Sequence, residues 1–213
     1  MQLIRGLSNL HLAPRGSVLT LGNFDAVHLG HQQILQQVRE KAALSRAAAG
    51  VIVFEPQPEE FFNPKNAPPR LSNFREKLEQ LTAAGAELVV CLRFNQQLAS
   101  LSAEAFVEDI LVKGLGVSHL VIGDDFKFGA KRQGDFNLLS QLSSQYNYTL
   151  EATQTFELAN ERVSSTRVRQ ALQAQKFALT AQLLGRPYKL SGQVMHGKKL
   201  GRQLAMPTAN VYN

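Results

Sequence analysis

Short apolar runs alternate along the chain with stretches in which apolar residues recur every three or four positions, a pattern that predicts strands joined by helical crossovers. Val18, Leu19 and Leu21 form the first run, stopped by Gly22; Gly30 and His31 then open HQQILQQVREKAALSRAAA, where Ile34, Leu35 and Val38 recur at helical spacing. GVIVF at 50–54 reads as a second strand. The stretch after it, EPQPEEFFNPKNAPPRL, is too interrupted by proline for regular structure, and a loop that long in a compact domain is usually functional. Ser72 is placed to cap a helix through SNFREKLEQLTAAG, with Phe74, Leu78 and Leu81 on one face and Gly85 as its stop. ELVVCLRF gives a third strand, a helix from Ser102 turns Phe106, Val107, Ile110 and Leu111 inward, and SHLVIG gives a fourth strand. The loop DDFKFGAKRQGDF follows, then a helix around 137–144, a strand near 148–153, and an interrupted helical region from SSTRVRQALQAQ to Gly185. Beyond Arg186 the chain changes to glycine-punctuated, strand-like pieces, so the expected division is 1–185 and 186–213.

Strand and helix in alternation imply a parallel α/β sheet with right-handed crossovers, and ligands gathered beyond the strands' carboxyl ends. With 44% hydrophobic and 19% charged residues the chain is neither disordered nor fibrous. The balance of 23 Lys+Arg against 17 Asp+Glu suits an anionic partner, nucleotide or nucleic acid. The basic residues are scattered, however, and the one cluster, Lys198, Lys199 and Arg202, has no neighbouring aromatic for base stacking, so nucleic acid is not the expected partner. The single cysteine, Cys91, lies inside an apolar run; it reads as a core residue and excludes an internal disulfide. No stretch approaches the roughly 18 apolar residues of a membrane span. The N-terminal residues also lack the features of a signal peptide, so a soluble cytoplasmic protein is expected.

Three stretches carry candidate chemistry. The strand entering a helix at 18–31 leaves first-turn N–H groups unpaired, and such an end binds phosphate. His28 and His31, three apart, share a helix face and can both reach one anion; taken alone, the same spacing also fits ordinary helix-start histidines. Neither a GxxxxGK[ST] loop nor a GxGxxG fingerprint is present. In VSSTRVR (163–169), Ser164, Ser165 and Thr166 put hydroxyls and amides at a helix start, and Arg169 adds a cationic fork; standing alone, such a motif is more often a mere Ser/Thr cap. Arg167 and Arg169, two apart, face different ways. In the third stretch, Phe126 and Phe128 stand on a loop between Gly123 and Gly129, where an aromatic suits stacking on a planar ring, Phe128 first. Phe54, Phe62 and Phe106 are further aromatic candidates, with core packing as the alternative for Phe106.

GNFDAVHLGH (22–31) closely resembles the GNFDGVHxGH signature of bacterial bifunctional riboflavin kinase/FAD synthetases, and VSSTRVR resembles the ISSTxxR motif of the nucleotidyltransferase superfamily. GDDFKFGAKRQGD is similar to the family's GxDFxFGxxRxGD segment. VFEPQPEEFF, Arg70-Leu71 before REKL, and GRPYKLSGQVMHGKKLGRQLAMPTAN extend the likeness over most of the chain. Ala26 stands where the family has Gly, Lys127 where it has Arg, and Ala205 where it has Gly. If position 26 needs positive φ, the first exchange costs about 1 kcal/mol or more.

The resemblance implies a Rossmann-like nucleotidyltransferase fold, a parallel sheet with helices on both faces, followed by the start of a β-barrel. The implied reaction is transfer of AMP from ATP to FMN, giving FAD and pyrophosphate. It implies catalytic positions at His28, His31 and Arg169, and contacts to ATP and its phosphates from Gly22, Asn23, Phe24, Asp25, Gly30, Ser164, Ser165 and Thr166. Asn23 and Asp25 are expected to orient nucleotide and hydrated Mg²⁺ rather than act as acid or base; Mg²⁺ itself would be held through phosphates. Flavin contacts are implied for Phe62, Phe106, Asp125, Phe126 and Phe128. In relatives that carry the whole second module, a β-barrel phosphorylates riboflavin to FMN, with Thr208 and Asn210 in the motif that binds Mg²⁺ and ATP phosphates. Residues 186–213 are too few to close a barrel, and no Asp or Glu follows Glu161, so this chain is expected to lack the kinase activity. The alternative reading is a catalytically silent flavin or nucleotide binder.

Overall fold

The structure is a computed structural model and describes residues 1–123, 125–195 and 210–212. In chain order the elements begin β1 (Gln2–Arg5), β2 (Val18–Leu21), α1 (Leu29–Ser45), β3 (Ala49–Glu55), α2 (Pro58–Phe62), α3 (Phe74–Ala83) and β4 (Leu88–Arg93). They continue with α4 (Gln96–Ala99), α5 (Ala103–Ala105, running on as a π-helix over Phe106–Gly114), β5 (His119–Gly123), α6 (Phe136–Tyr146) and β6 (Thr149–Thr153). The last are β7 (Glu157–Leu158), β8 (Glu161–Arg162), α7 (Ser165–Gln173), α8 (Phe177–Leu184), β9 (Gln193–Met195) and β10 (Asn210–Tyr212).

Six strands form one sheet in the order β1-β4-β3-β2-β5-β6, every pairing parallel. A parallel sheet covered on both faces needs apolar side chains on both, which is why β2 and β3 read as continuous runs rather than as alternations. Val51, Val53 and Val89 pack with Leu35 of α1 and Leu81 of α3 on one face. Leu19, Ile52 and Val90 pack with Val107, Ile110 and Leu111 of the π-helix and Leu139 of α6 on the other. The chain moves outward from β2 to β3 and β4, then crosses back to β5 on the far side of β2. That reversal opens a crevice beyond the carboxyl ends of β2 and β5, where open α/β sheets bind ligands.

Several local expectations are corrected. The edge strand β1 was not expected because it buries only Ile4 and shows no apolar period. The proline-rich stretch contains α2, since Pro58 sits in the first turn, where its missing N–H costs nothing, and the Glu60 carboxylate accepts from Gln57 N at 2.9 Å. Asn73, not Ser72, caps α3: its side chain accepts from Glu76 N, and the Glu76 carboxylate accepts from Asn73 N, both at 2.9 Å. Helix α1 stops at Arg46, whose φ of 51° is left-handed. The hairpin β7–β8, two residues a side, is too short to show a period. Beyond α8, β9 pairs antiparallel with β10 in a separate ribbon, Met195 opposite Asn210.

Candidate active site

The turn from β2 into α1 carries three non-glycine residues in the left-handed region: Phe24 (φ 47°), Ala26 (φ 65°) and Val27 (φ 39°). Position 26 therefore needs the positive φ that glycine adopts freely. Such backbone costs on the order of 1–2 kcal/mol per residue and persists only where surrounding contacts over-determine it. Here they do. Asp25 O accepts from Ser165 Oγ at 3.2 Å, Ala26 N donates to Ser72 Oγ at 3.1 Å, and Ala26 O accepts from Arg186 Nη2 at 2.5 Å. Val27 O accepts from Gln32 Nε2 at 2.8 Å and Arg186 Nη1 at 3.3 Å.

Asp25 is buried beneath this turn, and its carboxylate accepts from Leu71 N and Ser72 N at 3.1 Å, Ser72 Oγ at 3.3 Å and Arg169 Nη2 at 2.6 Å. With both oxygens engaged inside the protein, Asp25 clips the turn to the proline-rich loop and to α7. Arg169 also donates from Nε to Pro69 O at 2.8 Å, so two of its three nitrogens are committed to holding the turn and the proline-rich loop. Arg167 faces the other way, donating to Leu158 O and Glu161 O and pairing with the Glu161 carboxylate at 2.8 Å.

His28 is the N-cap of α1 and buried. Its Nδ1 accepts from His31 N at 3.3 Å, so a neutral ring carries its proton on Nε2. Burial, with Arg162 and Arg186 nearby, pushes its pKa down to about 4. His31 is lowered as well, by burial and then by His28 and Lys77. The two imidazoles stack at 3.7 Å between centroids, with the Phe24 ring against His31 at 4.7 Å. Both histidines are thus neutral at physiological pH, and His28 is a hydrogen-bond donor, not a cation. Beside it, the first-turn amides of Leu29 and Gly30 have no intrahelical acceptor. A Cβ on Gly30 would lie 3.4 Å from Val163 O, so the start of α1 runs against the chain entering α7. The two phosphate-binding candidates, remote in sequence, therefore meet. Ser164 caps α7 by accepting from Arg167 N at 3.2 Å, Ser165 reaches the turn, and Thr166 is exposed.

Next to the turn lies a cleft of about 610 Å³ that Gly22 and Asn23 share with it. Phe62, Phe106, Asp125, Phe126 and Phe128 all line it, so the flavin candidates are brought together. They are not equivalent. Phe106 and Phe128 are buried, their rings 5.6 Å apart in the core, whereas Phe126 stacks on Phe128 at 5.8 Å and is half-buried; the accessible ring of the loop is Phe126, contrary to the preference for Phe128. Phe62 is 66% exposed at the lining. Phe94 also lines the cleft, edge-on to Phe54, Phe61 and Phe62, and no sequence signal beyond its place after a strand's end could have singled it out. Arg162 was missed too: it pairs with Asp125 at 2.6 Å and joins β8 to the aromatic loop. Lys77, wholly buried, pairs with Glu55 at 2.8 Å, and Arg70 bridges Glu55 and Glu60, anchoring the proline-rich loop. Lys127 pairs with Asp135 at 3.0 Å. Thr208 and Ala205 lie outside the described residues, and Asn210 is placed only as a backbone position in β10.

Among the described residues no three His, Cys, Asp or Glu side chains are grouped to hold a metal ion, and no helix is long and apolar enough to cross a membrane.

A parallel sheet whose switch-point crevice receives a helix start, two polar motifs and an aromatic cleft defines a Rossmann-like nucleotidyltransferase domain. The family model for FAD synthetase matches residues 11–167 and that for riboflavin kinase matches 184–213. The chain is 54% identical over 211 residues to the bifunctional riboflavin kinase/FMN adenylyltransferase of Pseudomonas fluorescens, and 49% identical over 212 residues to that of Escherichia coli (strain K12). In both cases the match covers 99% of this chain and 68% of the relative. The chain belongs to the family of bifunctional riboflavin kinase/FMN adenylyltransferases and carries its FAD synthetase domain. A crystal structure described as a macrolide-efflux protein from Streptococcus pneumoniae shares the fold, with TM-score 0.79 and 29% identity over 94% of this chain and 65% of that one.

Proposed function

We propose that the chain makes FAD by in-line transfer of AMP from ATP to FMN, with the phosphates at the start of α1 and the flavin in the phenylalanine cleft. The observation that carries this is the meeting of the two polar motifs beside that cleft, with Gly22 and Asn23 common to turn and cleft. An FMN phosphate oxygen attacks the α-phosphorus of ATP, forming one P–O bond as the bond to the β-phosphate bridge breaks and pyrophosphate leaves. The nucleophile is already anionic, so no general base is required, and catalysis reduces to alignment and stabilisation of charge. His28 Nε2–H and the amides of Leu29 and Gly30 supply preorganised donors, and Thr166 and the remaining nitrogen of Arg169 supply more. His31 acts by fixing His28, through its amide and its stacked ring. Mg²⁺ would be held by the nucleotide phosphates and would supply neutralisation of their charge.

Incubation with ATP, FMN and Mg²⁺, followed by chromatography, tests the reading: FAD and pyrophosphate are expected in equal amounts. Tight FMN binding with no FAD formed would instead favour the silent binder. We place the division between the modules near Arg186, with Thr208 and Asn210 on the kinase side.

A further inference from the structure

A boundary between modules is ordinarily a place where few contacts cross. At Arg186 the opposite holds. Its guanidinium donates to Ala26 O at 2.5 Å, Val27 O at 3.3 Å and Leu184 O at 3.1 Å. Two of these carbonyls belong to the left-handed turn that sets the direction of α1. Gln32 Nε2 ties the same two places together, donating to Val27 O at 2.8 Å and Leu184 O at 2.9 Å. Gly185, at φ 68°, allows the close approach: a Cβ there would lie 2.8 Å from Leu29 Cδ2. The following residues stay on the same surface, with Tyr188 Oη donating to Leu71 O at 3.1 Å and Ser191 N to a Glu76 oxygen at 2.6 Å.

Arg186 is half-buried, and burial lowers its pKa, yet among the described residues it forms no ion pair; its compensation comes from backbone carbonyls. A tether could have used any neutral donor at less desolvation cost. A planar fork, however, spans adjacent carbonyls of one strained turn at once, which an ammonium or amide cannot do as rigidly. The riboflavin-kinase model begins its match at residue 184, so this fork is contributed by the segment assigned to the second module.

We propose that Arg186 is a positioning residue of the adenylylation site, holding the carbonyls of Ala26 and Val27 so that His28 and the first amides of α1 keep their aim, and that the start of the kinase-matched segment is thereby a working part of the adenylyltransferase. This rests on the reading of that turn as the phosphate site. Arg186 is the side chain by which a displacement of this segment acts directly on the carbonyls of the turn, and Gln32 ties Val27 O to Leu184 O beside it.

The test compares the 213-residue chain with Arg186→Ala, Arg186→Lys and, as a control, the exposed neighbour Lys189→Ala, by steady-state FAD formation and by hydrogen exchange of the peptide spanning 22–32. Arg186→Ala is expected to lower kcat by about ten- to a hundredfold with KM for FMN nearly unchanged, the signature of lost alignment. Its turn amides should exchange faster while those of β3 and β4 keep their protection. Arg186→Lys should fall between, and Lys189→Ala should match the parent. If Arg186→Ala does not fold, Arg186→Lys decides by the same two readouts. Unchanged kcat in a folded variant, a fall in kcat without faster exchange at the turn, or protection lost evenly across the sheet would overturn the proposal. A parent chain that makes no FAD but whose turn still loosens in Arg186→Ala would instead refute the adenylylation reading alone.

Discussion

The Asp25 carboxylate lies 2.6 Å from Nη2 of Arg169, and the two side chains are only 2% and 15% exposed, although 144 positions separate them in sequence. This pair, with the amides of Leu71 and Ser72, joins the turn, the proline-rich loop and α7. Breaking a buried pair from one side leaves an uncompensated charge, which typically costs about 3–5 kcal/mol. Asp25→Asn is expected to destabilise the chain toward the lower end of that range, read from the urea unfolding midpoint. Arg169→Ala should lower kcat/KM for FAD formation by well over the loss in Arg167→Ala, because Arg167 faces the β7–β8 hairpin. Equal losses would remove the facing argument.

At Ala26, relief of left-handed backbone favours glycine by about 1–2 kcal/mol, while a fully buried methyl is worth about 0.8 kcal/mol to keep. Ala26→Gly should therefore change stability by less than about 1 kcal/mol, whereas Ala26→Val, β-branched at φ 65°, should cost more than 2 kcal/mol. Thermal or urea unfolding of the two variants checks both. A marked gain for Val would mean that the turn is not held as described.

His28 has a folded pKa of about 4 against 6.5 for the free side chain. The unfolded chain therefore binds the extra proton first, and stability is lost as pH falls from about 6.5 to about 4, levelling once the folded state is protonated as well. The whole effect is on the order of 3 kcal/mol. In His28→Gln, the decline in stability between pH 7 and pH 4 should be smaller by an amount of that order, as measured by urea unfolding. Turnover should show no rise as pH falls through 6.5; a rise would mean that a protonated imidazole does the work.

Phe126 and Phe128 separate binding from packing. Phe126→Ala, which removes the accessible ring, is expected to raise KM for FMN by about tenfold, in line with about 1 kcal/mol or more per stacked ring, and to leave the unfolding midpoint nearly unchanged. Phe128→Ala removes a ring only 7% exposed and should cost about 3 kcal/mol of stability. The reverse pattern would restore Phe128 as the stacking residue.

What the sequence by itself determined is everything governed by local period and local chemistry. The runs at β2, β3, β4 and β5 are apolar because both sheet faces are covered, and the helices between them declare themselves through their spacing and their caps at Ser102 and Ser164. The phosphate turn, the serine motif and the aromatic loop were legible for the same reason, since each is a continuous stretch with residue types suited to anions or rings. The tertiary structure decided what those stretches do to one another. That Asp25 clips three segments together, that Arg169 commits two nitrogens to Pro69 and Asp25, and that Phe128 is floor while Phe126 is surface all follow from burial. Burial is a property of the packed chain and has no period to announce it. Most plainly, Arg186 follows a helix-terminating glycine in sequence and looks like the first residue of a linker, yet folding brings it onto the carbonyls of Ala26 and Val27. A hydrogen bond between residues so far apart depends on where the sheet's crossovers return the chain, and no local pattern encodes that.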